Sequence, residues 1–154
     1  MHSAVSVIVI FFQDNIIFQA KNLSINHTFT FHRDSSQAKL EEYFIQADDG
    51  DSLNALVFKT KLPSKGLILY FHGNADNLQR WGQYAEDFTK LGYDVLMMDY
   101  RGYGKSTGKP VEKNLYKDAL AVFQWSQVNL NPSRFVFYGR SLGSAVASNL
   151  ATAV

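Results

Sequence analysis

The 154-residue chain contains no cysteine, which excludes disulfides, thiolate zinc sites and a cysteine nucleophile and leaves the redox compartment open. Neither sign of charge dominates: 15 Lys and Arg stand against 14 Asp and Glu, with no basic block. A nucleic-acid surface draws its affinity from clustered cations, so no nucleic-acid partner is expected. Proline is scarce, at three residues, and no Pro/Gly/Ser-rich linker divides the chain. The apolar N-terminal run Ala4 to Phe12 covers nine residues, whereas a helix needs about 20 to cross a bilayer core. Two readings of it stand: a first β-strand, or the remnant of a longer membrane anchor that associates the chain with a membrane. Met1-His2-Ser3 ahead of it carries no Lys or Arg, which argues against a signal peptide. The four histidines show no ligand spacing, so no metal is expected.

What is present fits a globular domain: 46% of residues are hydrophobic and 19% charged. A chain of this length buries a real core as one domain. Residues 1–38 read as an apolar stub and a poorly periodic connector, and residues 39–154 as the domain proper. Within the connector, Asn22-Leu23-Ser24 and Asn26-His27-Thr28 fit the glycosylation sequon, a pattern short enough to recur by chance. Leu40 to Gln46 and Leu53 to Lys59 flank Asp48-Asp49-Gly50-Asp51, which predicts an antiparallel hairpin.

Strands and helices then alternate. Gly66 to His72, Tyr93 to Asp99 and Arg134 to Tyr138 are apolar runs of the kind buried on both sheet faces. Trp81, Tyr84, Ala85, Phe88 and Leu91 predict one helix, closed by Gly92. Leu115, Ala119, Val122 and Phe123 predict a second, stopped by Asn131-Pro132, and Ser141 to Val154 form a third. This alternation predicts an α/β fold with a largely parallel sheet covered on both faces.

The chemistry-bearing feature is Gly139-Arg140-Ser141-Leu142-Gly143, placed between an apolar strand and a small-residue helix. A serine at such an apex projects its hydroxyl clear of the sheet, as in a nucleophile elbow. Gly139 and Gly143 lack the Cβ that would collide where strand and helix approach. The positive end of the following helix points at any oxyanion that develops there. Upstream, Asp99-Tyr100-Arg101-Gly102-Tyr103-Gly104-Lys105-Ser106 ends in a Gly-Lys-Ser that imitates a phosphate-binding loop. Asp99 stands where that motif requires glycine, so the phosphate reading fails. Asp99 and Arg101 are instead expected to form a local ion pair or turn network that shapes the site wall. No G-x-G-x-x-G follows a strand, which removes the dinucleotide reading.

His72-Gly73-Asn74-Ala75, the Asp99 to Ser106 segment and Gly139 to Gly143, in that order, resemble the α/β-hydrolase superfamily. More narrowly, they are similar to its serine-aminopeptidase-like branch, which includes membrane-anchored hydrolases and protein depalmitoylases. The resemblance implies an incomplete α/β-hydrolase fold, from the N-terminal hairpin to the elbow helix. It implies an esterase, thioesterase or amidase that acts on an acylated substrate through an acyl-enzyme on Ser141, without a cofactor. The backbone N–H groups of Asn74 and Leu142 would be the oxyanion donors, and His72 with Gly73 would brace the loop between them. The branch carries its Asp or Glu and then its His after the nucleophile. No histidine follows Ser141 here, so the chain reads as the N-terminal part of such an enzyme. The alternative is a non-catalytic remnant or partner whose open sheet edge after Tyr138 pairs with another chain.

Overall fold

The computed structural model describes residues 18–31 and 39–154. The run Ala4 to Phe12, with its strand and anchor readings, lies outside the described residues, as do His2 and His32.

Alternate residues of each strand feed different cores. The strands β2 (Lys39–Gln46), β3 (Ser52–Lys59), β4 (Leu67–Phe71), β6 (Asp94–Met98) and β7 (Phe135–Gly139) form one sheet in the order β2-β3-β6-β4-β7. Leu53, Ala55, Val57, Leu67, Leu69, Phe71, Leu96 and Met98 face one layer. Leu56, Phe58, Ile68, Tyr70, Val95 and Met97 face the other. This period of two, apolar on both faces, is why β3, β4 and β6 are nearly unbroken hydrophobic runs. The first core is closed by α3 (Glu112–Asn129) and α4 (Leu142–Ala153), through Leu115, Ala119, Val122, Val146 and Leu150. The second is closed by Phe29, Leu78 and Ala85.

The hairpin expected around Asp48 to Asp51 is present: β2 pairs antiparallel with β3, from Lys39 opposite Lys59 to Gln46 opposite Ser52. β3 also runs antiparallel to β6, and β4 is parallel to both β6 and β7. Among the described residues, β7 is an edge strand with a pairing partner on one side only.

One expected helix is divided. Residues 78–89 form two short α-helical turns, α1 (Leu78–Trp81) and α2 (Glu86–Thr89), joined by a 3₁₀ turn over Gly82–Ala85. Gly82 is required there because the Phe31 ring lies where a Cβ would be, and 3₁₀ geometry suits such a short tight connector. The start comes earlier than the apolar period suggests: Asn77 caps it, its Oδ1 accepting from the Gln79 amide at 3.0 Å. Leu91, expected on the apolar face, is exposed beyond the helical end.

Residues 18–31 pack on the domain without any period of their own. Phe18 joins one core and Phe29 the other. Gln19–Ala20, here β1, pair in parallel with Ala75–Asp76, β5, in the loop that follows β4. Among the described residues, no helix is long and apolar enough to cross a membrane.

Candidate active site

Strand register assembles the site. Phe71 at the end of β4 lies opposite Gly139 at the end of β7, so the loop from His72 and the turn at Ser141 leave the sheet side by side. A hydrogen bond from the Arg140 amide to the Phe71 carbonyl, at 3.0 Å, ties the two together.

Ser141 has φ 54° and ψ −118°, the values of the first central residue in a type II′ turn, a position that favours glycine. The turn is closed by the Gly143 amide, which donates to the Arg140 carbonyl at 3.0 Å. A serine held there stores roughly 1–3 kcal/mol of backbone strain, a cost that clusters at functional sites. The two flanking glycines are required by space. A Cβ on Gly139 would fall into the Gly143 carbonyl, and one on Gly143 into the carbonyl of Phe71. α4 starts at Leu142 and runs twelve residues, so its N-terminal amides open beside an exposed Ser141. Arg140 braces the turn from outside, its guanidinium 5.3 Å from the Trp81 ring centroid and 4.9 Å from that of Tyr84.

The loop after β4 is fixed from several directions. His72 is fully buried, with Nδ1 2.6 Å from the Gly73 carbonyl. Its ring lies against Trp81, Tyr100 and Tyr103. Nε2 lies 3.2 Å from Asp99 Oδ1. Trp81 Nε1 donates to the Ala75 carbonyl at 2.7 Å. Gly73 itself sits under the Trp81 ring and near the Arg140 carbonyl.

Of the two arrangements expected of Asp99 and Arg101, an ion pair or a turn network, they form no ion pair with each other. They follow β6 two residues apart and enter separate networks. The Asp99 carboxylate accepts from the Leu78 amide at 3.0 and 3.2 Å. Burial pushes its pKa up, opposed by the His72 ring and the Leu78 amide. Arg101 forms a two-pronged pair with Asp118 at 2.8 and 2.7 Å and reaches Asp49 and Asp51 in the hairpin turn. Burial raises the Asp118 pKa, and the guanidinium holds it down.

Arg101 thus bolts the β2–β3 turn and α3 to the segment after β6. Replacement Arg101→Met would leave the Asp118 carboxylate buried without a cation, a loss of about 3 kcal/mol. Urea denaturation of Arg101→Met and of the double variant Arg101→Met/Asp118→Leu checks this. The double variant is expected to recover most of the stability, because neither charge then stays buried alone.

Sequence reasoning assigns no role to three contributors. Gly104, at φ 51°, passes where a Cβ would overlap the Asp99 carboxylate. Asp118 held a legible signal: at helical spacing between Leu115 and Val122, it is a lone carboxylate on an apolar face. Gln19 carries no periodic signal, because its partner is a loop. Among the described residues, no group of three His, Asp or Glu is placed to hold a metal. A cavity of about 260 Å³, lined by Lys59, Ser64, Asp94, Leu130 and Ser133 among others, includes Leu67 at the start of β4, the end remote from Ser141.

A mixed sheet covered on both faces, with a strained serine turn between a parallel strand and a helix, defines an α/β hydrolase. A family model described as serine aminopeptidase, S33, matches residues 63–153, and the chain belongs to that hydrolase family. Lysophosphatidylserine lipase ABHD12 of Danio rerio is 42% identical over 91 residues, 56% of this chain and 23% of the lipase. The uncharacterized protein MT2364 of Mycobacterium tuberculosis is 36% identical over 110 residues, 70% of this chain and 39% of that protein. Among solved structures, an alpha-beta hydrolase from Vibrio vulnificus superposes with a TM-score of 0.65 at 27% identity, over 73% of this chain and 39% of that one. Pyrococcus furiosus esterase Pf2001 gives 0.70 over 90% of this chain and 53% of its own; at 24% identity it shows the fold alone. The chain spans 23% and 39% of these two sequence relatives' lengths.

Proposed function

We propose that the chain carries the nucleophile and oxyanion half of a serine hydrolase that cleaves the ester, thioester or amide bond of an acylated substrate. The observation that carries this reading is the strained backbone of Ser141, φ 54° and ψ −118°, at the apex between β7 and α4. In the reaction, Ser141 Oγ attacks the substrate carbonyl carbon and its proton passes to a histidine base. The tetrahedral oxyanion is received by the amides of Asn74 and Leu142. It collapses to an acyl-enzyme as the protonated leaving group departs, and water then releases the acid by the same two steps.

The base and the acid that orients it are assigned to sequence beyond Val154, since the described residues place no histidine at Ser141 other than buried His72. The unpaired side of β7 is where further strands of such a domain would add. The name of the ABHD12 relatives supports a fatty-acyl ester as the substrate class, and the membrane association expected of the N-terminus is in keeping with it.

A fluorophosphonate probe tests the assignment. Incubated with the enzyme expressed from its full reading frame, it is expected to label one serine, mapped by mass spectrometry to the peptide carrying Ser141. Labelling elsewhere, or none from a folded product, would count against the reading.

A further inference from the structure

Asn74 is pinned on both sides. The Gly73 carbonyl belongs to the same rigid peptide unit as the Asn74 N–H, and it sits 2.6 Å from His72 Nδ1. The next carbonyl, that of Asn74 itself, receives two hydrogen bonds. One comes from the Gln19 amide at 2.9 Å, the other from the Tyr103 hydroxyl at 2.6 Å. With both flanking peptide planes held, neither φ nor ψ of Asn74 is free, and the direction of its N–H is set.

The two donors to that carbonyl are themselves joined. Tyr103 is fully buried, its ring against His72 and Tyr100. Burial pushes its pKa upward, partly opposed by the Gln19 amide, so the phenol keeps the proton it donates. The Gln19 amide belongs to residues 18–23, a strap laid between two loops. The Lys21 carbonyl accepts from the Gly104 amide at 3.0 Å and from Asn77 Nδ2 at 2.9 Å. The Leu23 amide returns to the Gly104 carbonyl at 2.8 Å. Strap, Tyr103 loop and Asn74 loop therefore close into one ring of hydrogen bonds.

We infer that Tyr103 and the Gln19 amide are positioning groups for the oxyanion donor, so that the strap at residues 18–23 belongs to the catalytic apparatus. The inference rests on the assignment of the Asn74 amide above. Neither group reaches the reacting atoms; both act through the Asn74 carbonyl.

Steady-state kinetics of Tyr103→Phe in the enzyme expressed from its full reading frame tests this. The ring packing stays and one hydrogen bond goes. A kcat lower by about 10- to 100-fold is expected, with KM and thermal midpoint nearly unchanged. A trifluoromethyl ketone, whose serine adduct carries the oxyanion, should bind more weakly by the same factor. A merely structural tyrosine would move the thermal midpoint and leave the ketone affinity in step with KM. Unchanged kcat, or a fall in kcat without weaker ketone binding, overturns the inference. If Tyr103→Phe is too unstable to assay, Gln19→Pro removes the other bond to the same carbonyl and is judged by the same two readings. Ser141→Ala separates the failures. Turnover lost there, with Tyr103→Phe and Gln19→Pro unaffected, overturns this inference alone; turnover kept there overturns the nucleophile assignment and this inference with it.

Discussion

In the enzyme expressed from its full reading frame, Ser141→Ala is expected to lower kcat by about a million-fold, close to 8 kcal/mol of barrier, and to leave the fold unchanged. The size follows from what remains. The amides assigned to the oxyanion stay in place and retain on the order of 10³–10⁴ over the reaction in water, but no atom remains to form the acyl-enzyme. The fold survives because the Ser141 side chain is exposed and caps nothing in α4. Alanine inherits the strain at φ 54°, ψ −118°, while glycine relieves it. Ser141→Gly is therefore expected to be about 1 kcal/mol more stable than Ser141→Ala and equally inactive. Kinetics on an activated ester and thermal melts of both variants check the pair. Activity within tenfold of wild type in either variant would place the nucleophile elsewhere. Equal melting points would remove the strain from the account.

The ordering of these elements was legible because burial on two faces writes itself into composition. β3, β4 and β6 carry long apolar runs, and the α3 residues Leu115, Ala119, Val122 and Phe123 keep a helical period against one core. The glycines at 139 and 143 were legible too, because a strand and a helix that meet at a turn leave no room for side chains. The segment 78–89 was less so. Its apolar residues keep a helical period, yet the chain tightens where Phe31, distant in sequence, occupies the space beside Gly82. A period records which side is buried, and it does not record what arrives from elsewhere to bury it.

The ion pair, one of the two arrangements expected of Asp99 and Arg101, is absent for a related reason. Proximity in sequence suggested a contact, but residues two apart at the end of a strand project into different surroundings. Asp99 turns to the Leu78 amide and the His72 ring, Arg101 to Asp118 and the hairpin turn. The residues 18–23 were the least legible. Their hydrogen bonds run to loop carbonyls and amides, so no alternation of apolar and polar side chains marks them, although Gln19 stands one bond from Asn74.

Gly143→Ala is expected to cost more than about 4 kcal/mol, an exceptional loss that overpacking against unyielding backbone can reach. The added methyl would overlap the Phe71 carbonyl and press on the carbonyl of His72. Both carbonyls are already engaged. Phe71 accepts from the Arg140 amide at 3.0 Å, and His72 from the Tyr100 hydroxyl at 2.8 Å. Relief therefore requires α4 to lift from β4, which breaks the turn that holds Ser141 and separates it from the Asn74 loop. At roughly 2–4 °C per kcal/mol for a domain of this size, the thermal midpoint should fall by about 10 °C or more. Fluorophosphonate labelling should fall with it in whatever fraction stays folded. Gly50→Ala provides the contrast. Gly50, unlike Gly143, has a positive φ, 90°, and a Cβ there meets nothing within 4 Å, so only the conformational cost of about 1 kcal/mol applies. If the two alanines shift the midpoint equally, the contact of Gly143 with β4 costs no more than the backbone strain of an open turn, and the close approach of helix to strand is not what fixes the serine turn.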